Sequence, residues 1–307
     1  MIHFHIKKSG LQTLVQDGGR TGFQAYGVPL SGPMDWFSAQ LANRILDLPD
    51  DHPVLELTLI GPRIEIEGAC QICLTGANLS PKLNGEPMEM YRGIDIKSGS
   101  VLSFGRPLRA CRAYLGIRGS WKDEKWLGSR SSFVSSVENS FNFGVLNNTS
   151  VMGLAPLPRI NPKVFPIERL KPQESPFSIR VLAGPEFERF SHRNIADFFS
   201  RNFVLSNNSN RMGYRLESSL PSYHPEQELI SSGIVPGSIQ ISNSGQPIIL
   251  MAEAQTSGGY NRIANVIYAD MPALAQAKPG DHIRFELVQL EEARQAEKEL
   301  RELLELI

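Results

Sequence analysis

The two halves of this 307-residue chain echo one another in the same order four times, and that repetition narrows the possible folds more than any other feature. Arg20-Thr-Gly-Phe23 matches Arg211-Met-Gly-Tyr214, and Pro62-Arg-Ile-Glu-Ile66 matches Gly237-Ser-Ile-Gln-Ile241. The apolar run ending at Leu74 parallels Pro247 to Leu250, and Lys97-Ser-Gly-Ser-Val-Leu-Ser-Phe104 parallels Lys278-Pro-Gly-Asp-His-Ile-Arg-Phe285. One match is within chance. Four in order at a nearly constant offset predict a duplicated unit and two related domains, which the length also favours. The expected division is a first domain over residues 1–160, a Pro-rich linker over 161–177, a second domain over 178–288 and a terminal helix over 289–307.

Short apolar segments bounded by Gly, Pro, Asn or Ser predict a mainly β fold. They are 63–67, 71–75, 100–104, 113–117, 178–182, 238–241, 248–252 and 282–287, the pattern of sandwiches and barrels. Helices are few. Ser31 as a cap with Pro33 in the first turn, followed by Met34, Phe37, Leu41 and Ile45 at spacings of three and four, predicts one helix. Residues 186–199, with Phe187, Phe190, Phe198 and Phe199, predict a second. The segment from Gln289 to Ile307 lacks Gly and Pro and places Leu300, Leu303, Leu304 and Ile307 on one face. Its Glu297 and Arg301 are spaced for an ion pair on a solvated face, and a partner-binding helix is the alternative.

Thirty-one basic residues against thirty-two acidic ones, without a dense basic cluster, argue against nucleic acid as a partner. No apolar run approaches a membrane span, and the first ten residues lack the order of a signal peptide. Three cysteines suit a reducing compartment, so a cytoplasmic location is expected. Cys70 and Cys73 have the gap of a zinc or redox pair but sit in an apolar run with no second pair, which favours buried structural thiols. His3 and His5 share a strand face, and the remaining histidines have no ligand spacing, so no metal site is expected. A Gly-Lys pair is absent, which excludes the phosphate-binding loop of nucleotide hydrolases. A Met-Lys-Met tripeptide is absent too, so no biotin is expected on this chain.

Two Gly-rich segments carry candidate chemistry. In the first, Gln16-Asp-Gly-Gly-Arg-Thr-Gly22 precedes Gly27-Val-Pro-Leu-Ser-Gly-Pro-Met-Asp35. Arg20 offers a planar fork for a carboxylate or phosphate, and Asp17 and Asp35 are candidate acids, bases or orienters. A set of tight turns with Arg20 paired to one of these aspartates explains the same residues equally well. The second segment, Glu253-Ala-Gln-Thr-Ser-Gly-Gly-Tyr260, follows an apolar strand and would present Glu253, Gln255 and Thr256 at the strand end.

Ordered motifs from Gln12 to Phe285 resemble the allophanate hydrolase subunit 2 family. This is the biotin-dependent carboxyltransferase or kinase-inhibitor-antagonist family, and it includes the C-type subunits of 5-oxoprolinases. The matching stretches are Val15-Gln-Asp-Gly-Gly-Arg-Thr-Gly22, Gly27 to Asp35, Leu41-Ala-Asn-Arg44, Leu55-Glu-Leu-Thr58 and Gly61-Pro62. They continue through Ala113-Tyr-Leu-Gly-Ile-Arg-Gly119, Leu127-Gly-Ser-Arg-Ser131, Asn210 to Glu217, Gln255 to Tyr260, Ala275-Gln276 and Pro279-Gly-Asp281. Asn210 and Glu253 stand where the family usually has aspartate, and Gly119-Ser120 where it has Gly-Gly.

The resemblance implies two cyclophilin-like β-barrel domains with a few flanking helices and a C-terminal helix. It also implies a partner, a subunit 1 (B-like) protein, together with a LamB/YcsF-like subunit. The leading expectation is the C-type subunit of an ATP-dependent 5-oxoprolinase that opens 5-oxoproline to glutamate, with ATP held by this chain or a partner. The alternatives are the carboxyltransferase part of a urea carboxylase system and a regulatory antagonist that binds a kinase inhibitor. The implied catalytic residues are Arg20, Asp35, Arg211 and Glu253. Substrate contacts are expected from Gln16, Asp17, Gly19, Ser31, Arg130, Gln255, Thr256, Gly258, Gly259 and Tyr260.

Overall fold

Alternation of side chains builds the first sheet. In the strand Ile2–Lys8, Ile2, Phe4 and Ile6 are fully buried while His3 and His5 face outward beside Glu67. The fold is mainly β, and the computed structural model describes residues 1–122, 124–134, 142–171, 174–221, 223 and 229–307. Two compact units emerge. One comprises Met1–Arg20, Ser31–Lys171 and Leu303–Ile307, the other Thr21–Leu30 and Pro172–Glu302.

The first unit holds a seven-stranded sheet in the order Gly119–Trp121, Val151–Pro156, Ile2–Lys8, Arg63–Glu67, Ser100–Ser103, Lys82–Leu83, Glu86–Pro87. A five-stranded sheet runs Gln12–Gln16, Val54–Thr58, Arg109–Ile117, Cys70–Asn78, Ile94–Ile96. Phe4, Ile64, Ile66 and Leu154 from the first sheet and Val15, Leu57, Leu74 and Leu115 from the second share one buried cluster. Each such fully buried side chain contributes roughly 1.5–3 kcal/mol. Helix α1, Trp36–Ile45, packs on the opposite face of the five-stranded sheet, where Ala39 meets Val54 and Tyr114. Gly116 permits that approach: a methyl group there would lie 3.1 Å from Leu46 Cδ1 and 3.2 Å from Ala42 Cβ.

The start of α1 differs from the expectation. Ser31 has a left-handed backbone, φ 60°, and the cap is Asp35, whose Oδ1 accepts from Ser38 N at 2.8 Å. The expected linker also differs, because residues 161–171 belong to the first unit. Gln71 exchanges hydrogen bonds with the Ile160 backbone, Phe165 N donates to Tyr91 O at 2.9 Å, and Phe165 is buried. Residues 172–173 of that linker lie outside the described residues.

The second unit centres on one seven-stranded sheet, Phe203–Val204, His282–Leu287, Phe177–Ala183, Asn261–Val266, Ser238–Ile241, Pro247–Leu250, Gly213–Arg215. The pairing of Phe177–Ala183 with His282–Leu287 is parallel. Helix α2, His192–Ser200, is capped by Ser191, and its Phe198 stacks on Phe285 with centroids 4.7 Å apart. The expected helix over 186–199 is thus split: a short 3-10 turn, Phe187–Arg189, comes first, and extended backbone at Phe190 and Ser191 separates it from α2. Helix α3 is Met271–Ala275 and α4 is Leu290–Leu304. Ala296 of α4 packs with Ile267, Ala269 and Val288, and Leu300 joins them.

All eight predicted strands are present. The sequence echo survives locally: Lys97–Ser100 and Lys278–Asp281 are both turns closed by an i to i+3 hydrogen bond, with Gly99 at φ 86° and Gly280 at φ 87°. Strand neighbours do not follow the echo. Arg63–Glu67 pairs with Ser100–Ser103, whereas their counterparts Ser238–Ile241 and His282–Leu287 are not adjacent. Cys73 and Cys111 are buried, and burial pushes the half-buried Cys70 thiol up to about 12, which fits inert structural thiols. No helix among the described residues is long and apolar enough to cross a membrane.

Candidate functional site

In the first unit the loop after the strand Gln12–Gln16 folds around two charged side chains. Asp17 Oδ1 accepts from Gly19 N at 3.0 Å and Ser131 Oγ at 2.7 Å, and Oδ2 accepts from Arg130 N at 2.6 Å. Asp17 therefore ties the 129–131 segment to its own turn. Arg20 is 1% exposed, donates to Ser31 Oγ at 3.0 Å and to the Ser131 carbonyl, and lies over the Trp126 ring at 4.7 Å. Gln16, Asp17, Gly19, Arg20, Ser31 and Arg130 thus gather around one loop. Arg20 is thus fixed in part by the Ser31 hydroxyl and the Ser131 carbonyl, and Asp17 by the 129–131 segment.

Beside this loop lies a buried polar layer on the α1 face of the sheet. Glu56 Oε2 accepts from Met34 N and from Tyr114 Oη, both at 2.8 Å, and Tyr114 Oη accepts from Asp35 N at 2.8 Å. Arg112 Nε is 3.8 Å from Glu56 Oε1. Burial first, then the charges of Glu56 and Asp35, hold the Tyr114 phenol well above its ordinary range, so it remains a donor to Glu56. Asp35 itself receives Ser38 N and, at 2.6 Å, Ser38 Oγ, which occupies both carboxylate oxygens.

Glu56, Tyr114 and Arg112, which form this layer, are not among the candidate site residues of the sequence motifs. The sequence signal is a glutamate in the otherwise apolar Leu55-Glu-Leu57 and a tyrosine in Ala113-Tyr-Leu115, each an odd polar group in a buried stretch of strand.

The second unit gathers Arg211, Glu253, Gln255, Thr256, Gly258, Gly259 and Tyr260. Arg211 is 3% exposed and its Nε lies 2.7 Å from Glu253 Oε1, while Glu253 N donates to Arg211 O at 2.9 Å. Asn210 Oδ1 accepts from Met212 N at 2.8 Å, a turn that needs only an oxygen acceptor, which asparagine or aspartate can supply. Ser257–Gly258 pairs with Ser232–Gly233, and Thr256 O accepts from Ile234 N at 3.1 Å. A methyl group on Gly259 would lie 2.9 Å from the Leu229 carbonyl, so only glycine fits between these segments. Glu186 forms a second ion pair, with Arg262, whose hydrogen bonds pull its carboxyl below the usual range.

The profile of the family described as carboxyltransferase domain, subdomain A and B, matches residues 26–287. The chain is 33% identical to the C subunit of 5-oxoprolinase from Escherichia coli, over 96% of its own length and 94% of that protein. It is also 33% identical to urea amidolyase of Saccharomyces cerevisiae over 93% of its length, but spans 16% of that protein. The crystal structure of the K. lactis urea amidolyase superimposes with a TM-score of 0.87 at 30% identity, covering 98% of this chain and a fifth of that one, 20%. Sequence motifs, fold and relatives agree, and the chain belongs to the carboxyltransferase family of subdomains A and B.

Proposed function

We propose that this chain is the C-type subunit of an ATP-dependent 5-oxoprolinase, opening the cyclic amide of 5-oxoproline to glutamate with a subunit 1 (B-like) partner and a LamB/YcsF-like subunit. The observation that carries this reading is coextension: this chain and the E. coli C subunit match over nearly the whole of both. Lactam hydrolysis breaks the ring C–N bond, adds water across it and gains from activating the carbonyl oxygen, for which ATP supplies the phosphoryl group. Developing charge on that oxygen needs preorganised donors.

Arg20 and Arg211 already serve protein acceptors, so in this reading they act by fixing the two Gly-rich loops and their fields. Backbone amides of Gly258 and Gly259 supply donors, and Glu253 or Asp35 carries protons when its partner moves. Glutamate release from 5-oxoproline and ATP by the reconstituted mixture, omitting each subunit in turn, tests this. Release only with all subunits supports it, and a stable complex without release overturns it.

A second reading rests on the K. lactis urea carboxylase structure, matched at a TM-score of 0.87 over 98% of this chain. Under it the chain accepts carboxylate from a partner's biotin onto an amide nitrogen. Carboxylation of urea by the complex, without glutamate release, would select that reading.

A further inference from the structure

Gln16 is the most conspicuous orphan in the first unit. The residue is 0% exposed, yet neither its Oε1 nor its Nε2 has a hydrogen-bond partner among the described residues. Because both ends of the carboxamide are in that condition, exchanging its oxygen and nitrogen changes nothing. A buried polar group left without a partner is destabilising, and native proteins rarely bury two on one side chain. The strand sets its direction: Val15 points into the apolar core, so Gln16 points to the other face, which carries Glu56 and Tyr114. Opposite Gln16 is Val54, and two residues before Val54 stands His52, whose Nε2 is also buried without a partner among the described residues.

We propose that the Gln16 carboxamide binds the edge of a small cis-amide, donating from Nε2 to its carbonyl oxygen and accepting its N–H at Oε1. A lactam ring and urea both present N–H and C=O side by side, whereas an N-substituted lactam or a carboxylate does not. The proposal deepens the amide-handling reading above and rests on it for the choice of substrate class. It gives one residue a recognition role common to both alternatives, because the lactam and urea share this edge.

The test uses the full chain, labelled with 15N, and follows the Gln16 side-chain NH2 signals, identified by their absence in Gln16→Met. The probes are 2-pyrrolidone, 5-oxoproline and urea, with N-methyl-2-pyrrolidone as the blocked control. The expected result is a saturable shift of the Gln16 signals with the first three and none with the control. Gln16→Met should weaken 2-pyrrolidone binding at least tenfold, about 1.4 kcal/mol. The same variant should keep or raise the thermal midpoint, because an isosteric apolar chain relieves the orphaned amide. Unshifted Gln16 signals, or an equal response to the N-methyl control, would overturn the proposal. If the variant does not fold, the Gln16 signals are assigned from through-bond spectra of the 13C,15N-labelled wild type, and the titration still decides. Binding without glutamate release would remove the 5-oxoprolinase reading and leave this site standing, and release without a Gln16 response would do the reverse.

Discussion

Tyr114 Oη stands between Asp35 N, from which it accepts, and Glu56 Oε2, to which it donates, both at 2.8 Å. One hydroxyl thus joins the start of α1 to a carboxylate in the middle of the five-stranded sheet. Tyr114→Phe removes an acceptor and a donor at once from a fully buried site, leaving Asp35 N and Glu56 short of a partner. The expected loss is about 1–3 kcal/mol. Trp36, Trp121 and Trp126 are the chain's three tryptophans and all lie in the first unit, so the urea midpoint by tryptophan fluorescence reads this unit alone. An unchanged midpoint would show that the Tyr114 bridge is energetically idle.

Arg20→Lys keeps the charge and loses the fork. A lysine cannot reach Ser31 and the Ser131 carbonyl together while lying flat on Trp126. The expected outcome is a lower fluorescence midpoint, again by about 1–3 kcal/mol, with a changed Trp126 emission maximum in the folded state. If the variant matched the wild type in both, Arg20 would be replaceable as a loop anchor and its role would have to be sought in substrate contact.

Strands and terminal helix were legible because their signals are local: Arg63–Glu67, Ser238–Ile241 and His282–Leu287 begin and end where side-chain alternation and turn residues say. The start of α1 departs from the sequence pattern for a tertiary reason. Ser31 and Pro33 imitate a cap and first turn, but Met34 N and Asp35 N are claimed by Glu56 and Tyr114, which delays the helix to Trp36. The same contacts explain why the polar layer stayed hidden. Glu56 and Tyr114 are 58 residues apart, and each looks alone like an oddity in an apolar strand. The loop motifs were visible, but which oxygen each arginine binds depends on segments far along the chain, such as Ser131 for Arg20.

The buried Arg211–Glu253 pair predicts a strongly asymmetric double-mutant cycle. Glu253→Gln takes the negative charge from the oxygen that Arg211 Nε meets at 2.7 Å, at a cost of about 1–3 kcal/mol, and removing both charges together with Arg211→Met and Glu253→Leu costs less than the sum of the single changes. Amide hydrogen exchange in the Ser238–Ile241 and Pro247–Leu250 strands is the readout. Additive effects of the single changes would mean that the two side chains do not depend on one another.

Acid sensitivity of the first unit should trace in part to His52. Burial, the largest influence, pulls its imidazole below the ordinary value; the Gly119 carbonyl pulls the other way, and the Arg130 charge adds to the depression. An unfolded histidine titrates near about 6.5, so as the pH falls through that value the unfolded chain takes up a proton that the folded chain refuses. The stability held by neutral His52 is therefore full above about 6.5 and declines as the pH drops toward the lower folded value. His3 and His5 bear on the same comparison because both face Glu67 at 3.4 and 3.2 Å, but they remain unchanged in His52→Gln. The fluorescence-detected urea midpoint of the wild type should fall between about pH 7.5 and about pH 5.5, one unit either side of the unfolded value, and more steeply than that of His52→Gln. Parallel curves would show that His52 is protonated equally in both states and that its burial carries no penalty.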